Sequence, residues 1–405
     1  MKIQEDSPGI TDVPLFEAAG AACDIRDTSD KRRDVALIYC KMPCSAAGVF
    51  TCNDLKAAPV LLSQQRLKQF DAFHGVIINS GNANACTGQQ GLQDAHTMAD
   101  LAAQHLGVAP ESLFVASTGR IGRVLPMERL QEGIAQVCQN KSSLAAQGSE
   151  AAEAILTSDT QSKTATVTFD WKGKTLTVAG MAKGAGMIEP NMATMLAFLA
   201  SDVQIEHQLL QSILTQAVDH TFNRITVDGD MSTNDTVLFL ANGDSGIHVV
   251  TEEIGLLTLF SRAVHSLCDL LAEKIIYDGE RRTKVVELRI LGAPSEDAAA
   301  RVARCIGNSL LVKTSWYGND PNWGRLAHAA GYARVGLKED RLDITYNDTP
   351  VIQSGQPLNE NEPQWRKIVS QTRFTITLNL NLGNSTYRIL STDLSEGYVD
   401  FNKSE

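Results

Sequence analysis

Short runs of β-branched and aromatic residues recur through the first two thirds of this chain, with helical patterns set between them. The runs lie at residues 35–40 (VALIYC), 76–79 (VIIN), 113–116 (LFVA), 165–169 (ATVTF), 176–179 (LTVA) and 236–241 (TVLFLA). Their length and composition suit buried strands. Helical periodicity occupies 92–106, 126–137, 206–218 and 252–275, the second with Pro126 at a first helical position. Such an alternation buries its apolar faces by stacking helices and sheets in layers. A larger layered α/β domain is therefore expected over residues 1–283. After Asp278 the texture changes. Strands are expected at 285–291, 310–314, 342–346 and 374–382, with helices near 295–306 and 323–332, giving a smaller α+β domain over 284–405. A length of 405 residues accommodates both.

The charge balance narrows the partners. There are 36 basic and 47 acidic residues, a formal net charge of −11, and no long basic run. Such a chain repels nucleic acid, which is not an expected partner. The N-terminus MKIQEDSPGI lacks the basic-then-apolar layout of a signal peptide. No run of consecutive apolar residues approaches 18, so no membrane span is expected. Eight cysteines without a CxxC pair read as reduced, mostly buried thiols, which fits a cytoplasmic enzyme.

Chemistry is most often placed on loops held by a rigid scaffold. Three loops are rich in glycine and small polar residues: 79–88 (NSGNANACTG), 117–122 (STGRIG) and 183–194 (KGAGMIEPNMAT). A fourth, 226–236 (TVDGDMSTNDT), is acidic and amide-rich. The third runs into Thr194 and then the apolar stretch MLAFLA, which reads as a buried strand. A threonine at such a junction, after the small Ala193, can attack the preceding carbonyl and form an ester that water hydrolyses. The freed α-amine has a reference pKa of about 7.7–8.0, so it can take the hydroxyl proton itself. The bland alternative is an ordinary loop-to-strand junction. Thr118 and Gly119 follow an apolar run at a sharp turn. A hydroxyl and a backbone N–H aimed at one point make an oxyanion hole, each donor worth on the order of 2.7–4 kcal/mol of barrier. The alternative there is a plain turn.

Taken together, eight segments resemble the ornithine acetyltransferase family, also called bifunctional glutamate N-acetyltransferase. They are NSGNANACTG (79–88), ASTGRIG (116–122), TSDT (157–160), AKGAGMIEPNMATMLAFLASD (182–202), FNRITVDGDMSTNDT (222–236), KIIYDGE (274–280), VKTSWYGNDPNWGR (312–325) and DLSEGYVDFN (393–402). They occur in family order and span most of the chain.

The resemblance implies an α-β-β-α layered, N-terminal-nucleophile-like domain of the aminopeptidase and ornithine acetyltransferase type. It implies self-cleavage between Ala193 and Thr194, leaving pieces of 193 residues and the remaining 212 of 405 that stay associated, as a dimer of such pairs. It implies transfer of acetyl from N2-acetylornithine through Thr194 to glutamate, in arginine biosynthesis. No cofactor is implied; some members accept acetyl-CoA as donor. Oxyanion donors fall on Thr118 and Gly119, and substrate contacts on Thr157, Lys183, Thr194, Glu280 and Asn402. Without the resemblance, Lys183 reads as a surface lysine, Glu280 as an acidic loop residue, Thr157 as a helix N-cap and Asn402 as a tie for the tail. Two features depart from the family. Arg281 and Arg282 stand where small residues are usual, either crowding a pocket or facing solvent. The chain ends at Glu405, so a last family contact is absent or supplied by Ser404.

Other chemistries are set aside. Asp228 opens a stretch like a calcium loop, but Thr233 and Phe239 stand where glycine and glutamate are needed, so a turn-rich structural loop near the active site is expected instead. No two of the eight histidines lie three to five residues apart, and no metal site is expected. Ser80 and Ser158 lack a triad pattern, no GxGxxG follows a strand, and Cys86 reads as a buried thiol. Two alternatives remain: an N-terminal-nucleophile amidohydrolase or aminopeptidase with water as acceptor, and a non-catalytic amino-acid-binding homologue.

Overall fold

The computed structural model describes residues 1–29, 31–189 and 195–403. They fall into two compact units. The first comprises Met1–Gly184, Asn191–Asn223 and Met231–Ile275; the second comprises Ala185–Pro190, Arg224–Asp230 and Ile276–Glu405.

The first unit is built on one long strand, Val35–Phe50. Its first half pairs with Phe16–Ala21 and Phe73–Asn82, and its last six residues pair antiparallel with Thr236–Ala241. The register slips between Tyr39 and Cys44. Side chains alternate with period two, as a strand covered on both faces requires. Ala36, Ile38 and Cys40 enter one core, Val35, Leu37 and Tyr39 another. The first core also holds Met181, Leu196, Phe198, Leu238 and Leu240, so it is packed sheet against sheet. The second holds Met98, Ala99 and Ala102 of the helix Gly88–Leu106 with Leu130 and Ile134 of Met127–Asn140. On the other side of Thr236–Ala241, Phe239 meets Phe260 of the helix Ile254–Tyr277 with ring centroids 6.1 Å apart. The order of layers within this unit is helix, sheet, sheet, helix, as expected. Each fully buried large apolar side chain contributes about 1.5–3 kcal/mol.

Ile254–Tyr277 bears on the expectation that no segment spans a membrane. At 24 residues, with a mean hydropathy of 1.4 over its best window, it is long and apolar enough to cross a membrane by length and composition. Leu256, Phe260, Val264, Leu267 and Leu271 along it are fully buried within the protein, which is the pattern of a core helix.

The second unit carries a seven-stranded mixed sheet. Its central strand Val285–Ala293 runs parallel to Arg373–Asn379 and antiparallel to Ser385–Thr392. Val286, Leu288, Ile290, Trp316, Phe374 and Ile376 form its core. The expected strand at 310–314 is instead the start of a helix, Leu310–Tyr317. Ser309 caps it, its hydroxyl accepting from the Val312 N–H at 3.4 Å. Val312 and Trp316, one turn apart, face the core, while Leu310 and Leu311 are 65% and 54% exposed. A short apolar run fits either structure, and here the cap and the core-facing turn decide.

Candidate active site

Strand Leu113–Arg120 runs parallel to Phe73–Asn82, matching Ser80 with Thr118 and Gly81 with Gly119. Gly119 has φ of +135°, and a Cβ there would lie 2.3 Å from the Gly81 carbonyl carbon. Only glycine fits that approach. Thr118 beside it is buried, and both residues continue the strand instead of forming the expected sharp turn, because the parallel ladder with Phe73–Asn82 extends through them.

A second strand pair supplies charge. Lys163 lies opposite Ala182, next to Lys183 at the end of strand Lys174–Lys183. Register therefore brings two lysines together, at 0% and 2% exposure. Lys183 was read from sequence alone as a surface lysine; the strand turns it inward. Its Nζ donates to Thr157 Oγ1 at 2.7 Å and to Thr118 Oγ1 at 3.3 Å. Each hydroxyl oxygen thus accepts from the ammonium and keeps its own hydrogen for another acceptor. Thr157 is no helix N-cap, because the next element after it is the strand Lys163–Trp171.

Asp159 is the residue that sequence reasoning missed. It sits inside the quoted TSDT segment and its side chain is fully buried. It accepts from Lys163 Nζ at 2.7 Å, the Gly184 N–H at 2.6 Å and the Thr157 N–H at 3.1 Å, with Lys183 at 3.8 Å. Burial alone raises its pKa. The two ammonium groups and the hydrogen bonds outweigh burial and hold it down at about 2. Among the described residues, two ammonium groups and one carboxylate converge here. The only sequence signal was the four-residue spacing of Asp159 and Lys163, which reads equally as a surface pair.

The acidic loop proves structural in a specific way. Asn234 Nδ2 donates to Ala83 O and Ser117 O at 2.6 and 2.8 Å, fixing the backbone just ahead of Thr118. Asp235 accepts the Met195 N–H at 3.0 Å. Met195 is the residue after Thr194, so this carboxyl anchors the start of the strand Leu196–Ser201. Burial pushes the Asp235 carboxyl well above its usual range. Ala193 and Thr194 themselves lie outside the described residues.

The second unit holds the other predicted contacts. Asn402 Nδ2 donates to Glu280 Oε2 at 3.3 Å and to Tyr398 O at 2.9 Å. The Glu280 N–H donates to Ala185 O at 2.9 Å, and a Cβ on Gly186 would come within 2.3 Å of the Glu280 carboxyl. Glycine at 186 leaves room for the Glu280 carboxyl, which a side chain there would push aside. Arg282 donates to Tyr277 O at the end of helix Ile254–Tyr277 through Nε at 2.7 Å, and its guanidinium lies over the Tyr277 ring. It caps that helix. Arg281 is exposed and lies 5.0 Å from the Phe401 ring centroid. Ser404 lies outside the described residues. The predicted residues thus form two connected groups, Thr118–Thr157–Lys183 and Glu280–Asn402.

All eight cysteines are free. Cys86, expected to be buried, is exposed, held by the turn before Gly88–Leu106 at φ of +55°. Among the described residues no group of three or more potential ligands could hold a metal ion.

Comparison with known proteins gives a consistent picture. The ArgJ family description matches residues 17–404. The arginine biosynthesis bifunctional protein ArgJ of Thermotoga neapolitana is 42% identical over 392 residues, covering 96% of this chain and 97% of that protein. The protein of the same name from Symbiobacterium thermophilum is 41% identical over 396 residues, covering 98% of each. A solved chain of ornithine acetyltransferase complexed with ornithine, from Mycobacterium tuberculosis, is 37% identical, with a TM-score of 0.43; the match covers 47% of this chain and 98% of that one.

Proposed function

This chain belongs to the ArgJ family, and from that premise we infer that it is a self-processing acetyltransferase of arginine biosynthesis. It moves acetyl from N2-acetyl-L-ornithine to L-glutamate and yields L-ornithine and N-acetyl-L-glutamate. The observation that carries the reading is the buried Lys183 ammonium between the Thr118 and Thr157 hydroxyls.

In this proposal the Thr194 hydroxyl first attacks the Ala193 carbonyl, and the peptide C–N bond breaks as the hydroxyl proton passes to nitrogen. Water hydrolyses the resulting ester, freeing the Ala193 carboxylate and the Thr194 amine. That amine then takes the hydroxyl proton as Thr194 attacks the acetyl carbonyl of N2-acetylornithine. The Thr118 hydroxyl and the Gly119 N–H hold the oxyanion. The amine returns the proton to the departing nitrogen of ornithine. Glutamate attacks the acetyl ester through its own amine, and the threonine oxygen recovers a proton. Lys183 and Thr157 bind the α-carboxylate, while Glu280 and Asn402 bind the side-chain ammonium of ornithine. The enzyme works in the cytoplasm without a cofactor, as a dimer of two-piece units, with acetyl-CoA as a possible second donor.

The test is mass analysis of purified protein together with Thr194→Ala. Wild type should give two pieces, the second beginning at Thr194, and the variant one inactive chain. Incubation with N2-acetylornithine should release ornithine only when glutamate is present. Glutamate-independent release would mean a hydrolase, and an uncut, fully active Thr194→Ala chain would remove the mechanism.

A further inference from the structure

One carboxylate in the second unit is bonded from two directions. Asp228 Oδ2 accepts the Met187 N–H at 2.6 Å and Oδ1 accepts the Ile188 N–H at 2.8 Å. Oδ2 also accepts the Tyr398 hydroxyl at 3.1 Å. Met187 and Ile188 belong to the segment leading to the Ala193–Thr194 bond. Tyr398 belongs to the helix Glu396–Asn402, whose last residue reaches Glu280. The Asn402 side chain also donates to the Tyr398 carbonyl, so the tyrosine and the asparagine are braced together.

The same segment is held at each neighbouring position. The Val227 N–H donates to Ile188 O at 2.9 Å and the Thr226 hydroxyl to the same oxygen at 3.1 Å. Glu189 Oε2 accepts from Asn308 Nδ2 and from Thr226 Oγ1. Asp228 differs from these in reaching the C-terminal helix, through Tyr398. Met187 also has a positive φ of +55°, a backbone state that a non-glycine residue keeps only when its surroundings impose it.

We propose that Asp228 is a positioning residue that couples the segment ahead of the scissile bond to the helix bearing Asn402, so that one carboxylate serves both self-cleavage and binding of the amino-acid substrate. The coupling rests on the proposed function above. Two N–H donors on separate carboxylate oxygens set the direction of the segment, and the tyrosine hydroxyl transmits that placement to the helix. Neutralising the carboxylate weakens charge-assisted hydrogen bonds on both sides. Removing the hydroxyl breaks only the link to the helix.

The two halves are separable by Asp228→Asn and Tyr398→Phe. Asp228→Asn should slow appearance of the piece beginning at Thr194 by about tenfold or more, and should raise KM for N2-acetylornithine in the processed fraction. Tyr398→Phe should leave the rate of processing within about twofold of wild type and raise KM several-fold, with kcat little changed. A purely structural tyrosine would lower the yield of folded protein without a selective change in KM. Should Asp228→Asn not fold, Tyr398→Phe alone decides, since it deletes a single hydroxyl. Wild-type KM in Tyr398→Phe overturns the coupling, as does wild-type processing in a folded Asp228→Asn. If wild type itself is never cut, the proposed function falls and the coupling with it. If wild type is cut and both variants match it, only the coupling falls.

Discussion

Lys183 in the first unit and Lys313 in the second are both almost fully buried, at 2% and 1% exposure, yet their surroundings differ. Lys183 stands 3.8 Å from the Asp159 carboxylate and donates to two hydroxyls. Lys313 reaches neutral oxygens: Ser391 Oγ and Thr392 Oγ1, each at 3.4 Å, and the Thr392 carbonyl. Among the described residues it has no ion pair. Burial pulls its pKa down to about 8, against the more distant Asp228, Asp393 and Glu189. A buried ammonium held by neutral carbonyl and hydroxyl oxygens ties a helix to a strand, here Leu310–Tyr317 to Ser385–Thr392. A buried ammonium with a carboxylate partner and polarised hydroxyls is equipped to meet a ligand. Burial of a lysine therefore does not by itself mark function, and the oxygens around the two lysines are what sets them apart.

Three substitutions test that contrast, in descending order of effect. Asp159→Ala leaves two buried ammonium groups without their carboxylate and should cost about 3–5 kcal/mol of unfolding free energy, measured by denaturant titration. A loss under about 1 kcal/mol would mean the lysines do not depend on it. Lys183→Met should reduce kcat/KM for acetyl transfer on the order of 100-fold, about 2.7 kcal/mol, with a smaller loss of stability because Asp159 keeps Lys163. Transfer at the wild-type rate would place Lys183 with Lys313 as a purely structural group. Lys313→Met is the smallest change. The folded-state pKa of Lys313 lies below the ordinary lysine value of about 10.4, so between those pH values the unfolded chain binds more protons. Wild-type stability should therefore rise as pH goes from about 8 to about 10. The variant should lack that lysine's share of the rise, about 2 kcal/mol, with transfer within about twofold of wild type. An identical pH slope in both proteins would show that Lys313 does not titrate there.

The same contrast explains how much could be read in advance. The alternating runs gave the layered first unit because a strand covered on both faces must be apolar at every position, as at residues 35–40. The need for glycine at 119 was legible, since it occupies a backbone state closed to other residues, but its setting was not: Thr118 and Gly119 continue the strand Leu113–Arg120 rather than turning. Asp159 was not legible. A carboxylate four residues from a lysine has the same appearance at a surface and in a core, and only the strand register buries this pair. The helix at Leu310–Tyr317 was missed because its opening run LLVKT fits either structure, and the cap at Ser309 decides for the helix.

The sequence by itself determined the layered first unit, the glycine required at 119 and, through eight ordered segments, the family. Those features depend on local periodicity, backbone freedom and residue identity, which a linear string carries. Only the tertiary structure decided which charges lose their water and what replaces it: Asp159 between two lysines, Lys313 among neutral oxygens, Asp228 between a loop and a distant helix. Desolvation and pairing arise from residues far apart in the chain, so no local pattern can specify them.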